Sequence, residues 1–282
     1  MTVGPSESAT TTRFVVGLGN PGPEYRNHRH NIGFQVVDLL TEALPIEQSL
    51  RPFSKGARRA EVAVAVLQGG EGVDGDDGRD LRVVLVKPLT YMNRSGVPTA
   101  AVLEKFGGNP EEVLVIYDEL DLPLGRMRVR RGASGGSGGH GSSGGHRGIE
   151  SLLDEIGGGF DRLRLGIGRP SRDAASLTAA AEDSAAAKDS GGDAVIEHVL
   201  GDFADAEQAA VSWTRAQAVA ATRSWWRRGV LATMNEFNGL RYTVDVQEAG
   251  EVQETVDLQE VDGPLNEAES GETESDSSEP QS

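Results

Sequence analysis

Residues Glu112–Tyr117 read EVLVIY, an unbroken apolar run, and no other segment limits the fold as tightly. A strand without polar alternation can leave neither face to water, so it belongs mid-sheet, covered on both sides. Further β-rich runs supply its neighbours: Arg13–Leu18 (RFVVGL), Ala60–Leu67 with alternating valines, Leu81–Lys87 (LRVVLVK), Arg126–Arg131 (RMRVRR) and RLRLGIG. Helical patterns lie between them. Asn31–Leu44 sets Ile32, Val36, Val37, Leu39, Leu40 and Leu44 along one helix face, Pro98–Phe106 is predicted helical, and IESLLDEI gives a third helix. A last helix is expected to start near Asp202 or Asp205 and to run through Trp225, Trp226 and Phe237. Gln68–Asp80 reads as an enlarged hairpin loop. This alternation predicts an α/β fold: a single domain with a mixed central β-sheet flanked by helices on both sides.

The domain is expected over residues 13–242, with low-complexity insertions at about 69–80 and 171–193. Residues 1–12 and the acidic tail 243–282 lack a core-forming pattern and are expected to be disordered. The net charge of −17 argues against a nucleic-acid partner, but its distribution reverses that. Thr243–Ser282 holds 13 acids and no basic residue; Glu71–Asp80 and Ser171–Asp193 hold five acids each. Outside these stretches 21 acids face 24 basic residues, so the folded part is mildly basic and compatible with RNA. With no cysteine there is no disulfide and no thiolate metal site, and a reducing cytoplasmic compartment is expected. No run approaches the roughly 18 apolar residues of a membrane span. The first dozen residues also lack the features of a secretion signal.

Gly17, Gly19 and Gly22 match G-x-G-x-x-G directly after a strand. A dinucleotide site needs a helix to begin at those glycines, so that its N-terminus meets the pyrophosphate. Here Pro21, Pro23 and a polar run intervene, and helical periodicity starts only near Ile32. The motif is better read as a turn carrying the chain across the sheet edge than as the start of an NAD(P)-dependent oxidoreductase.

Chemistry-bearing residues gather after three strands, where open α/β sheets collect ligands. GLGNPGPEYRNHRHNIG offers Asn20, Tyr25, His28, His30 and Asn31; KPLTYMNRSG offers Tyr91, Met92 and Asn93; YDELDLPLG offers Asp118, Glu119 and Asp121. A histidine, a carboxylate and several amides suit hydrolysis by an activated water: base, orienting group and carbonyl donors. Taken singly, each has a plainer role. His30 serves equally as a polar surface residue, Asp118 as a turn cap, Asn93 as a helix N-cap and Met92 as core filler. His28, His30, His140 and His146 lack the i, i+4 spacing of a helical zinc motif, so no metal or other cofactor is expected.

Taken in order, GLGNPGPEYRNHRHNIGF, KPLTYMNRSG, DELDLPLG, GGHRG and LRLGIGRP resemble bacterial peptidyl-tRNA hydrolases from about Arg13 to Phe237. The resemblance implies a single-domain enzyme that cleaves the ester between a peptide and the tRNA 3′ ribose without a metal. It implies His30 as the water-activating base, oriented by Asp118. Asn20 and Asn93 would position the peptide and the attacked carbonyl, Tyr25 would contact the terminal nucleotide, and Met92 would wall the peptide groove beside Tyr91. Arg130 and Arg164 correspond to a basic clamp for the tRNA 5′ phosphate, and a cytoplasmic monomer acting on peptidyl-tRNA is the family expectation. As bare sequence, Arg126, Arg128, Arg130 and Arg131 share a strand and Arg162, Arg164 and Arg169 surround another, which suits phosphate binding or an ordinary charged face.

One segment departs from the family pattern GGHGGHNG. It reads GGSGGHGSSGGHRG, longer and with Arg147 where an asparagine is expected to bind substrate or water. His146 aligns with the adjoining histidine, its role open, and His198 reads as structural or exposed. The altered loop admits a second class of function, a non-catalytic RNA-binding module on the same fold.

Overall fold

The computed structural model describes residues 10–56, 58–68, 80–133, 142–170 and 190–243. Seven strands form one sheet: β1 (Thr11–Gly17), β2 (Ile46–Lys55), β3 (Arg58–Leu67), β4 (Leu81–Pro88), β5 (Val113–Glu119), β6 (Met127–Arg130) and β7 (Asp161–Gly166). Their order is β2-β3-β4-β1-β5-β7-β6. The centre, β4-β1-β5-β7, is parallel, while β2, β3 and β6 pair antiparallel at the margins, so the sheet is mixed. All seven residues of β5 are buried, as its unbroken apolar run requires.

Helices cover both faces. The first, α1 (Ile32–Ala43), and the last, α5 (Gln208–Phe237), pack on one side against Val15, Leu85, Ile116 and Leu163. On the other side α2 (Gly96–Phe106) and α3 (Arg147–Ile156) cover Val16, Val86, Val115 and Tyr117. Neighbouring residues of one strand thus go to opposite cores, as the pleat dictates. Each fully buried aliphatic side chain contributes about 1.5–3 kcal/mol. A fifth helix, α4 (Ser190–Val199), precedes α5, which breaks at Gly229, where φ is +81°. Among the described residues no helix is long and apolar enough to cross a membrane.

Several boundaries differ from expectation. β1 begins at Thr11, within the stretch expected to be a disordered N-terminus, because the N–H of Thr11 bonds the carbonyl of Asp80 beside β4. β2 was not anticipated: IEQSLRPFSK is largely polar, and edge pairing to β3 makes it a strand. α4 starts inside the expected 171–193 insertion. The turn after β1 leaves from mid-sheet, not from an edge, since β1 lies between β4 and β5. Its glycines lead into a one-turn 3₁₀ helix (Pro23–Tyr25), and no α-helix begins there. Gly17 and Gly33 serve close packing instead. A Cβ on Gly33 would stand 2.3 Å from the carbonyl oxygen of Ile116, and one on Gly17 would stand 2.3 Å from that of Gly33. The bulk of the 69–80 and 171–193 insertions and the tail from residue 244 lie outside the described residues.

Candidate active site

The C-terminal ends of β1 and β5 and the loop after β4 meet at one point, where the three predicted segments converge. His30 sits in a one-turn 3₁₀ helix (Arg29–Asn31) that runs into α1. Arg29 fastens that turn, donating to the carbonyl of Asp202 and pairing at 2.7 Å with Glu207, while its guanidinium lies over the Phe203 ring. Its own N–H bonds the carbonyl of Gly201. The histidine is therefore presented by a braced segment.

Asp118, near the end of the buried strand β5, is 3% exposed and faces two imidazoles. His30 Nδ1 lies 2.8 and 2.9 Å from its two carboxylate oxygens, and His146 Nε2 lies 3.1 Å from Oδ1. His146 is also the N-cap of α3: its Nδ1 accepts the backbone N–H groups of Gly148 and Ile149 at 3.2 and 3.3 Å. Because a neutral imidazole carries one N–H, the cap fixes His146 with its proton on Nε2, donating to Asp118. His30 donates from Nδ1 in the same way, which leaves its Nε2 lone pair to accept a proton.

The electrostatics follow from this arrangement. Burial works against the charge on Asp118, but the charges and hydrogen bonds of His30 and His146 hold its carboxyl far below the usual carboxylate range. Burial likewise opposes the imidazolium of His30; the Asp118 carboxylate overcomes this and raises its pKa, and the charge of Arg147 takes part of that gain back. The potential ligand atoms of His30, Asp118 and His146 lie within 4.8 Å of one another. A cation bound to Nε2 of His146 would require lone pairs on both ring nitrogens, an imidazolate, while the α3 cap persists. The donor set therefore does not suit a metal.

Amides complete the site. The Asn20 backbone N–H donates to Oδ1 of Asn31, whose Nδ2 donates back to the Asn20 carbonyl, both at 2.9 Å. Asn20 Oδ1 accepts the N–H of Met92 at 2.9 Å, so this amide ties the loop after β1 to the loop after β4. Its orientation is thereby set with Nδ2 as the remaining donor. Met92 is buried, whereas Tyr91 is 64% exposed beside it. Asn93 is exposed and does not cap α2, a position held by Ser95; it lines a groove of about 480 Å³ with Arg94, Arg147 and Glu150.

A family-wide profile described as peptidyl-tRNA hydrolase matches residues 14–245. The chain is 39% identical over 232 residues to a peptidyl-tRNA hydrolase of Synechococcus sp. (strain JA-3-3Ab), covering 82% of this chain and 84% of that one. The chain belongs to the peptidyl-tRNA hydrolase family. To the family's Bacillus subtilis member it is 36% identical, over 79% of this chain and 97% of the relative. The solved structure of peptidyl-tRNA hydrolase from Acinetobacter baumannii superposes with a TM-score of 0.59 at 29% identity, covering 84% of this chain and 99% of that one.

Other residues singled out in the sequence fall in distinct places. Tyr25 is half-buried and meets His28 edge-on at 5.3 Å. His28 stands beside Asp202, its Nδ1 buried without a partner among the described residues, and takes no part in the Asp118 cluster. His198 contacts the carbonyls of Ile167 and Gly168 and is structural; His140 lies outside the described residues. Asp121 makes an exposed ion pair with Arg169. Arg147 belongs to the first turn of α3, not to the preceding glycine loop. The arginines form a ladder, for Arg128 lies opposite Arg164 and Arg130 opposite Arg162 across the β6–β7 pair. They point to the face of α2 and α3, since Met127, Val129, Leu163 and Leu165 occupy the other. Arg164 is held by Glu119, with Nε to Oε2 at 2.6 Å, whereas Arg130 is exposed. His146 is the participant whose part sequence left open: its signal was a histidine immediately before a helix, the N-cap position.

Proposed function

We infer that this chain is a working peptidyl-tRNA hydrolase, which cleaves the ester joining a peptide to the tRNA 3′ ribose with a water activated by His30. The observation that carries this reading is the His30–Asp118–His146 cluster. It leaves one imidazole lone pair free in a half-buried site, backed by a carboxylate that stabilises the imidazolium once the proton is taken. Asn20 and Asn93 offer amide donors for the carbonyl and the peptide, and Met92 walls the groove. Exposed Tyr91 and the Tyr25–His28 pair offer stacking surfaces for the terminal nucleotide. An acyl ester needs only a positioned water and a tuned base, so this chemistry requires no nucleophilic serine.

The direct test is release of the acyl group from an N-blocked aminoacyl-tRNA, followed against pH. The expected result is turnover whose rate climbs on an acid limb set above the ordinary histidine pKa, because Asp118 favours protonated His30 and the base must be free to act. A non-catalytic RNA binder would leave the ester intact or protect it.

The arginine ladder supports contact with the tRNA backbone, with Arg130 and Arg164 as the phosphate clamp and Arg128 between them. Arg164 already shares its charge with Glu119, so the exposed Arg130 is the cleaner probe. Arg130→Ala should raise KM and leave kcat unchanged. The salt dependence of log KM should flatten by about 0.9 for each phosphate that is no longer neutralised. An unchanged salt slope would remove Arg130 from the RNA interface.

A further inference from the structure

Arg147 directly follows the His146 cap, which itself touches Asp118. Arg147 lines the groove shared with Asn93 and Arg94, and among the described residues its guanidinium has no hydrogen bond or ion pair. The His146 ring in turn stands 5.1 Å from that of His30. An unspent cation beside a general base calls for an anion. The choice lies between an RNA phosphate and a charge that develops during the reaction. Glu150, Asp154 and Glu155 follow on the same face of α3 and line the same groove. Three carboxylates repel a phosphodiester strand but tolerate a neutral peptide, so the groove suits the acyl side of the substrate. On that side the reaction creates one negative charge, on the carbonyl oxygen.

We propose that Arg147 is a further catalytic residue, whose guanidinium donates to the oxyanion formed as water adds to the ester carbonyl. This rests on the water-activating role of His30. As the water oxygen bonds to the carbonyl carbon, its proton passes to Nε2 of His30, and the carbonyl π pair moves onto oxygen, where Arg147 holds it. When the pair returns, the bond from carbon to the ribose oxygen breaks, and the imidazolium gives its proton to that leaving oxygen. The neutral amides of Asn20 and Asn93 bind a carbonyl well in the ground state. A full positive charge gains most once the oxygen turns negative, so Arg147 acts mainly on the transition state.

The test compares wild type, Arg147→Gln and Arg147→Lys, each with a matching thermal melt. Two substrates are used: an N-acetylaminoacyl-tRNA and the corresponding N-acetylaminoacyl ester of adenosine, which carries no phosphate. Arg147→Gln is expected to lose about 10²–10³ in kcat on both substrates, the range for removal of one oxyanion donor. Its KM should change little, and Arg147→Lys should recover most of the rate. The acid limb should also move to higher pH in Arg147→Gln, because burial alone then opposes protonation of His30. An unchanged kcat overturns the proposal. So does a rise in KM confined to the tRNA substrate and erased by salt, which marks Arg147 as an RNA contact. His30→Ala is run in parallel: if it still hydrolyses the ester, the underlying mechanism fails whatever Arg147 does.

Discussion

Replacing Asp118 by asparagine should lower kcat by a factor on the order of 10³–10⁴ while the protein stays folded, a size set by forcing a catalytic histidine into its wrong tautomer. The carboxylate accepts from two imidazoles at once, Nδ1 of His30 and Nε2 of His146. An amide offers one oxygen and one NH₂, and whichever way it turns its NH₂ stands against Nδ1 of His30, because both carboxylate oxygens lie within 2.9 Å of that atom. His146 cannot give way, since its Nδ1 must stay unprotonated to cap α3. The amide oxygen therefore turns to His146 and the NH₂ to His30. The proton of His30 is driven from Nδ1 to Nε2, the nitrogen meant to receive it from water. Measuring kcat and KM on an N-blocked aminoacyl-tRNA, with tRNA affinity as a control, checks this. A loss under tenfold would show that Asp118 does not govern the tautomer.

His30→Ala should cost between about 10² and 10⁴ in kcat, the usual span for a positioned general base. Affinity for tRNA should hardly move, because the arginine ladder lies on β6 and β7 whereas His30 precedes α1. Folding should survive as well, since Asp118 keeps His146 as a donor and Arg29 still fastens the turn. Single-turnover hydrolysis beside a tRNA-binding titration separates the two quantities. Full activity in this variant would move the base elsewhere.

The sheet and its flanking helices were legible because their signal is local. EVLVIY is buried wherever it is placed, and the apolar face of Ile32–Ala43 has helical spacing. β2 escaped because an edge strand such as IEQSLRPFSK is defined by its partner's backbone, and its mixed side chains advertise little. The Ala/Ser/Asp composition before α4 hid the helix start. In the site, motif resemblance named His30 and Asp118, but only folding brings residues 88 positions apart to 2.8 Å. The double duty of His146 was illegible for a related reason: one bond is local, to the helix it caps, and the other reaches back to β5. The engagement of Arg164 by Glu119 likewise depends on strand pairing, which no spacing along the chain reveals.

The glycine-rich stretch is secured at both ends. At its start the N–H of Gly132 bonds Asp161 and that of Ala133 bonds the carbonyl of Gly158. At its end Arg162 donates to the carbonyl of Ser142, and His146 is locked between α3 and Asp118. Length added between two such posts displaces neither of them. That accounts for how GGSGGHGSSGGHRG, longer than the family pattern, coexists with an intact His30–Asp118–His146 cluster. It also makes this loop a place where descendants of the chain, or an engineer, can insert sequence without disturbing the chemistry beside it.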